Sequence, residues 1–530
     1  MTTVHCAAYR LLRAHRMTTV FGNPGSNELP FLSALPDDFR YVLGLHEGVV
    51  VGMADGYAQV TGQPTLVNLH AAAGSGNAMG ALTNAWYSHS PLVRTAGQQA
   101  REMIGVESML ANIDAPQLPR PLVKWSYESA CAADVPRALA QAIHTAAQPA
   151  PGPVYLSVAH DDWAQPIDDA QVALLEQRQV DTASQASATQ IDALLERVAG
   201  ADNVLLVLGP QVDAAGANDD AVRLAEALGA PVHIAPSASR CPFPTGHACF
   251  RGVLPAAVDK ICTTFDGHDL VLVIGAPVFR YHEFSPGRYL PDATGLVHLT
   301  EDAAEAARAP MGDALVGNIA SLLHTLAERV APRDKASPAA RVRPGPVTDT
   351  SDRLAPENVF DVLNEKAPED AIYIKESTAT VGAFWDRVEM RHPGSYYFPA
   401  AGGLGFGMPA AVGAQLAAPE RRVIAVIGDG SANYGITALW SAAQYQVPVI
   451  FLILKNETYG ALRWFAQLFD AKQAPGLDIP NIDFVSIANG YGVSAHRATT
   501  RAEFEHRFDA ALATHDRPVL IEIPTLADAQ

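Results

Sequence analysis

The sequence predicts an α/β fold built from three doubly wound parallel-sheet domains. Two observations point there. Short, continuously apolar runs alternate with Ala- and Leu-rich stretches, the pattern of strands buried on both faces by helices. Two polar segments then cut the chain into parts of similar size. The apolar runs, in chain order, are 64–70 (PTLVNLH), 204–209 (VLLVLG), 270–275 (LVLVIG), 423–428 (VIAVIG) and 449–454 (VIFLIL). Each ends in, or is directly followed by, Gly or a polar residue, as strands of an open α/β sheet do. The interrupting segments, 166–190 and 336–356, are small, polar and rich in Ser, Pro or Arg, and read as linkers. The resulting division is 1–165, 191–335 and 357–530. The 530 residues, at roughly 100–200 per domain, accommodate about three or four domains.

Composition narrows the function classes. Hydrophobic residues make up 48% and charged residues 18%, which excludes a disordered chain. Lys+Arg number 37 against Asp+Glu 56, a net charge of -19, which argues against nucleic acid or an anionic membrane as partner. The five cysteines (Cys6, Cys131, Cys241, Cys249 and Cys262) are scattered without a CxxC, so a reducing compartment is expected. The first residues lack a basic stretch followed by an apolar one, and no apolar run approaches the ~20 residues of a membrane span. A cytoplasmic protein is the expectation.

The strongest chemical signal lies in the last third. The run 423–428 continues into Asp429-Gly430-Ser431, and the run 449–454 continues into Lys455-Asn456-Glu457-Thr458-Tyr459-Gly460. Asp429 and Asn456 therefore stand at the carboxyl ends of two strands, the edge at which open α/β sheets bind ligands. A carboxylate, an amide oxygen and a nearby backbone carbonyl are hard donors that suit Mg²⁺ or Ca²⁺. The glycines flanking Asp429 let backbone N–H groups approach a phosphate. The combination predicts a metal-bridged diphosphate. The segments 71–80 (AAAGSGNAMG) and 400–409 (AAGGLGFGMP) form a loosely shared theme of small residues entering a helix.

GDG followed by Asn456, 27 positions after Asp429, resembles the signature of the thiamine-diphosphate enzymes. The resemblance spans the chain, and within that family it is to the benzoylformate decarboxylases. It is carried by 20–32 (VFGNPGSNELPFL), 68–70, 97–99, 118–127 (LPRPLVKWSY), 240–244, 273–282 (VIGAPVFRYH), 395–398 and 458–465 (TYGALRWF). It implies thiamine diphosphate and Mg²⁺ (or Ca²⁺) as cofactors, with Asp429, Asn456 and Thr458 holding the metal. Thr378, Gly402, Gly430, Ser431, Tyr434, Thr458, Tyr459 and Gly460 match positions that line the cofactor. Leu404 matches the apolar prop beneath its two rings. Glu47, in 43–47 (LGLHE), matches the glutamate that exchanges a proton with the pyrimidine. The implied reaction is decarboxylation of an aromatic 2-oxo acid such as benzoylformate. The implied assembly is a homotetramer of two dimers with sites at subunit interfaces. Another thiamine-diphosphate enzyme, a different 2-oxo acid decarboxylase or a carboligase such as acetohydroxyacid synthase, is the nearest rival. A nicotinamide enzyme is weakened by the absence of GxGxxG after 204–209.

Three polar residues look placed for the substrate. Ser26 follows Asn23-Pro24-Gly25 and is expected to cap the helix that follows, a setting that binds carboxylates. His70 ends the 64–70 run, and His282 lies beyond the 270–275 run. Both match histidines of the family, and histidine exchanges protons near neutrality. Thr378, Leu110, Ala461, Leu462 and Phe465 match pocket-lining positions. Two departures flank Asn456: Lys455 replaces the usual Asn, and Glu457 a small residue.

Overall fold

The computed structural model describes residues 2–335, 338–350 and 352–527. It contains three six-stranded sheets, as the sequence predicts. The first runs Arg40–Leu43, Thr19–Asn23, Thr65–Leu69, Leu92–Gln98, Val154–Ala159, Trp125–Glu128. The middle sheet runs Phe250–Val253, Val232–Ile234, Val204–Leu208, Leu270–Ile274, Gly295–Thr300, Asp313–Val316. The last runs Tyr396–Tyr397, Ile372–Glu376, Val423–Gly428, Ile450–Lys455, Val519–Pro524, Ser494–Arg497. Numbering each sheet's strands by chain order gives 2-1-3-4-6-5 for the first and last, and 3-2-1-4-5-6 for the middle. The shared order gives the loose sequence theme of the outer parts a structural meaning.

The central strands are apolar without alternation because both faces are covered. Every residue of Val204–Leu208 and of Leu270–Ile274 is buried. Fully burying one such aliphatic side chain is worth roughly 1.5–3 kcal/mol, so these short runs hold the sheets together. On one face of the first sheet, helices Val4–Ala14 and Val135–Ala147 close a core with Phe31, Leu66, Val93, Leu156 and Trp163.

The described residues pack as two compact units, one drawn from Met1–Asp181, Ile374–Thr378 and Pro399–Gln530, the other from Thr182–Tyr373 and Ala379–Phe398. Within the first unit the two outer parts of the chain meet directly. Helix Glu47–Thr61 crosses helix Gly407–Ala417 with no room for side chains at the crossing. A Cβ on Gly413 would lie 1.8 Å from the Met53 carbonyl oxygen, and one on Gly56 2.2 Å from that of Ala410. Ser441 Oγ donates to the Leu43 carbonyl at 2.9 Å, and Tyr445 Oη accepts from the Leu43 N–H at 2.8 Å.

The segment 166–190, expected to be a linker, is in its first half structured. Pro166–Ile167 pairs antiparallel with Thr2–Thr3, and Asp169–Gln177 is a helix capped by Asp168. Arg10 grips Glu176 through two hydrogen bonds of 2.7 and 2.6 Å, and Val172 is buried beneath the helix. Its polar composition reflects a one-sided surface helix. The residues 338–350 are irregular, as expected of a linker.

Candidate active site

The predicted residues fall into groups at the carboxyl edges of the sheets. In the first sheet the strand order reverses between the neighbours Thr19–Asn23 and Thr65–Leu69, which opens a crevice beyond their ends. Ser26 follows the first of these strands and His70 the second. Ser26 is exposed, but it is not the helix cap that its sequence suggests. It is the first residue of the short turn Ser26–Glu28, and Gly25 holds the cap position. Glu28 reaches back to accept the Gly25 N–H at 2.9 Å, so the capping role belongs to the carboxylate.

Glu28 is 1% exposed and is the centre of this group. Its Oε1 accepts from the Gly97 N–H at 2.7 Å and the Ala71 N–H at 3.2 Å. Its Oε2 lies 2.9 Å from Nδ1 of His70. A buried carboxylate is acceptor-only, so His70 carries its proton on Nδ1 in this contact and Nε2 is left for exchange. His70 starts the helix Ala71–Asn77, and Asn77 at its end donates from Nδ2 to Glu47 Oε2 at 3.0 Å. Glu47 opens the helix Glu47–Thr61, its side chain beside Gly74. One short helix therefore spaces His70 from Glu47. Leu110, distant in the chain, meets this group through its backbone. It is 40% exposed with φ +68°, and its carbonyl accepts from Asn27 Nδ2 at 3.2 Å.

The second group forms where Val423–Gly428 and Ile450–Lys455 run side by side, Gly428 opposite Leu454. Asp429 is 3% exposed. Its Oδ1 accepts from the Gly430 N–H at 2.9 Å and its Oδ2 from the Glu457 N–H at 2.7 Å, which ties the two strand ends together. Burial pushes the Asp429 carboxyl up to about 6, against the opposing pull of those N–H groups and of Lys455. Asn456 Oδ1 accepts from the Thr458 N–H at 3.1 Å, and the Thr458 carbonyl accepts from Gly460. Arg463 Nε donates to Thr458 Oγ1 at 2.6 Å. The ring of Tyr459 lies so close to Gly430 that a Cβ there would be 2.5 Å from it. The phenols of Tyr459 and Tyr434 are hydrogen-bonded, and Tyr434 is 59% exposed. Ser431 is buried in the turn of helix that begins at Asp429.

The two departures at Lys455 and Glu457 answer each other. Glu457 has φ +60°, and its Oε1 lies 3.5 Å from Lys455 Nζ. The extra negative charge beside Asp429 is therefore offset by the extra positive one.

A third segment, Ala401–Gly405, carries Gly402 (φ +72°) and Leu404, which is half-buried. It is fastened to the strand Ile372–Glu376, from which the exposed Thr378 follows. Helix Gly460–Leu468 bears Ala461, Leu462 and Phe465. Leu462 is 49% exposed, and Phe465 stacks on Phe469 with ring centres 5.8 Å apart. The remaining predicted residue, His282, belongs to the other compact unit. It is exposed, and its N–H donates to the Ala256 carbonyl at 2.9 Å.

Sequence reading overlooked Glu28, Asn77 and Glu376 as site residues. Glu28 had a signal, since an acidic residue three positions after the cap is a capping-box spacing. Glu376 ends an apolar strand run, and only the fold reveals what it meets.

The donor set fits a divalent cation. Asp429, Asn456 and the Thr458 carbonyl are hard oxygens grouped at two adjacent strand ends. A nearly buried carboxyl with a raised pKa is also the group a cation would return to its charged form.

Three family descriptions match the chain: the thiamine pyrophosphate enzyme N-terminal TPP binding domain over residues 2–118, the central domain over 191–326 and the C-terminal TPP binding domain over 378–523. A benzoylformate decarboxylase of Pseudomonas aeruginosa is 65% identical over 525 residues, covering 99% of both chains. An acetolactate synthase isozyme 3 large subunit of Escherichia coli is 26% identical over 95% of this chain and 91% of its own. Among solved structures, a thiamine diphosphate-dependent 4-hydroxybenzoylformate decarboxylase of Rhodococcus jostii RHA1 superposes with TM-score 0.98 at 59% identity, both chains fully covered. A benzoylformate decarboxylase of Polynucleobacter necessarius does so with TM-score 0.97 at 37% identity, again over both whole chains. The N-terminal, central and C-terminal matches fall in turn on the first, middle and last sheets, and the chain belongs to the thiamine pyrophosphate enzyme family.

Proposed function

We propose that this protein is a thiamine-diphosphate- and Mg²⁺-dependent carboxy-lyase that converts an aromatic 2-oxo acid, benzoylformate, to benzaldehyde and CO₂. The observation that carries the reading is His70 held by buried Glu28 at the crevice of the first sheet, beside exposed Ser26, in a chain 65% identical to a benzoylformate decarboxylase. Asp429, Asn456 and Thr458 hold the metal. Tyr434, Ser431, Gly430, Gly402, Tyr459 and Gly460 line the cofactor. When bound, thiamine diphosphate supplies the nucleophilic carbon and the electron sink for loss of CO₂.

The chain's own residues do the rest. Glu47 holds the proton exchanged with the pyrimidine, and Asn77 fixes its carboxylate at 3.0 Å. Ser26 and His70 receive the substrate carboxylate. The bond between the carboxyl carbon and the 2-oxo carbon breaks, and His70 Nε2 delivers the proton that replaces it. His282 takes part in the proton transfer that releases the aldehyde. Leu110, Thr378, Ala461, Leu462 and Phe465 surround the aryl group and exclude water, which strengthens every charge interaction in the site. The protein acts in the cytoplasm. No helix among the described residues is long and apolar enough to cross a membrane.

The test is CO₂ and aldehyde release from benzoylformate and from pyruvate with thiamine diphosphate and Mg²⁺. Fast benzaldehyde formation with little turnover of pyruvate is expected. Cofactor binding with no turnover of benzoylformate would overturn the substrate assignment.

A further inference from the structure

Glu376 is a fully buried carboxylate with no role in the reaction described above. It ends the strand Ile372–Glu376, two residues before Thr378. Its Oε1 accepts from the N–H groups of Gly405 (2.8 Å) and Phe406 (3.1 Å), and its Oε2 from that of Gly407 (2.7 Å). These are consecutive donors at the start of the eleven-residue helix Gly407–Ala417. The residue just before them is Leu404. Gly405 adopts φ +101°, and a Cβ there would be 2.8 Å from Tyr434 Cβ. The loop is thus clamped between Glu376 below and Tyr434 beside it, and Leu404 has little freedom to move.

We propose that Glu376 is a positioning residue that holds the Gly402–Gly405 loop, and Leu404 on it, at the height the bound cofactor requires. The inference rests on the cofactor reading above. One carboxylate fastens the strand that leads to Thr378 to the loop that carries Leu404, so two cofactor-facing segments move as one body. Burial pushes the Glu376 carboxyl up to about 7. Above that pH it is ionised and all three bonds are charge-assisted. An amide in its place keeps one acceptor oxygen but turns an N–H₂ group toward the Gly407 N–H, donor against donor.

The experiment compares Glu376→Gln and Glu376→Asp with wild type at pH 8. Thiamine diphosphate affinity in excess Mg²⁺ is read from quenching of tryptophan fluorescence, apoenzyme folding from a thermal melt, and kcat and KM from benzoylformate turnover. Glu376→Gln is expected to bind the cofactor at least tenfold more weakly and to lose kcat with KM for benzoylformate nearly unchanged. Glu376→Asp keeps the charge and is expected to fall between Gln and wild type. A Glu376→Gln/Leu404→Ala double variant is expected to be no worse than the poorer single variant, because both changes undo the same prop. Cofactor affinity and kcat of Glu376→Gln within twofold of wild type would overturn the inference. If Glu376→Gln does not fold, wild-type affinity in Glu376→Asp overturns it instead. Failure of wild type to bind thiamine diphosphate would sink the cofactor reading itself, a result distinct from either.

Discussion

Glu28 and Glu47 show how much of the first group's chemistry depends on single oxygen atoms. Replacing Glu47 by Gln keeps the bond from Asn77 but removes the proton exchange. A fall in kcat on the order of 10²–10⁴ is expected, the usual worth of general acid–base catalysis, with cofactor affinity changed only severalfold. Benzaldehyde formation beside a fluorescence titration of thiamine diphosphate checks both halves. Glu28→Gln acts one step back. Its carboxylate serves three backbone N–H groups and His70, and the amide puts a donor where an acceptor is needed. Leaving a buried donor unsatisfied costs about 1–3 kcal/mol, so the melt should drop as well as kcat. A Glu28→Gln protein with wild-type stability and kcat would refute that hub role.

At the scale of elements, two strand ends and one loop carry the cofactor site of the proposed reading. Asp429 joins the ends of Val423–Gly428 and Ile450–Lys455 and faces the metal in the proposed reading. In wild type, thiamine diphosphate and Mg²⁺ at about 100 times their dissociation constant should stabilise the fold by roughly 2.7 kcal/mol. In Asp429→Asn that rise in melting temperature should vanish, since the change removes the one carboxylate charge among the three metal donors. Glu376 makes a pH prediction. Its carboxyl sits at 4.5 in the unfolded chain and near 7 when buried, so the folded protein holds this proton more tightly than the unfolded one. The associated stability is full below about 4.5 and is lost as pH rises through 7, by on the order of 3 kcal/mol. Unfolding of apoenzyme from pH 5 to 8 should therefore show wild type losing ground against Glu376→Gln as pH rises. A parallel pair of curves would contradict it.

For the whole molecule, the outer parts of the chain share strand order and pack together through the helices Glu47–Thr61 and Gly407–Ala417. Exposed apolar side chains follow the chain from Met103 to Ile113, and others stand on and just after helix Gly460–Leu468. We propose that a second subunit covers them in a homotetramer and that each site takes Glu47 from one subunit and Asp429 from another. Inactive Glu47→Gln and Asp429→Asn subunits, unfolded and refolded as a mixture, should then recover roughly a quarter of wild-type activity. Half of the dimers would carry one intact site of two. No recovery in assembled mixtures would place both residues in one chain's site.

The sequence by itself determined the three sheets, because runs such as 204–209 and 270–275 have no stable place except between two layers of helices. It also placed Asp429 and Asn456 at strand ends, because each follows directly on an apolar run. The segment 166–190 was harder to read, since a short surface helix buries too little to leave an apolar stripe. The tertiary structure alone decided that Glu28, not Ser26, caps its turn and backs His70, and that Lys455 neutralises Glu457. It alone brought Glu376 beneath the loop of Leu404. Those contacts join residues by a carboxylate's reach across strands and loops, and local sequence carries no record of which backbone N–H a buried oxygen will meet.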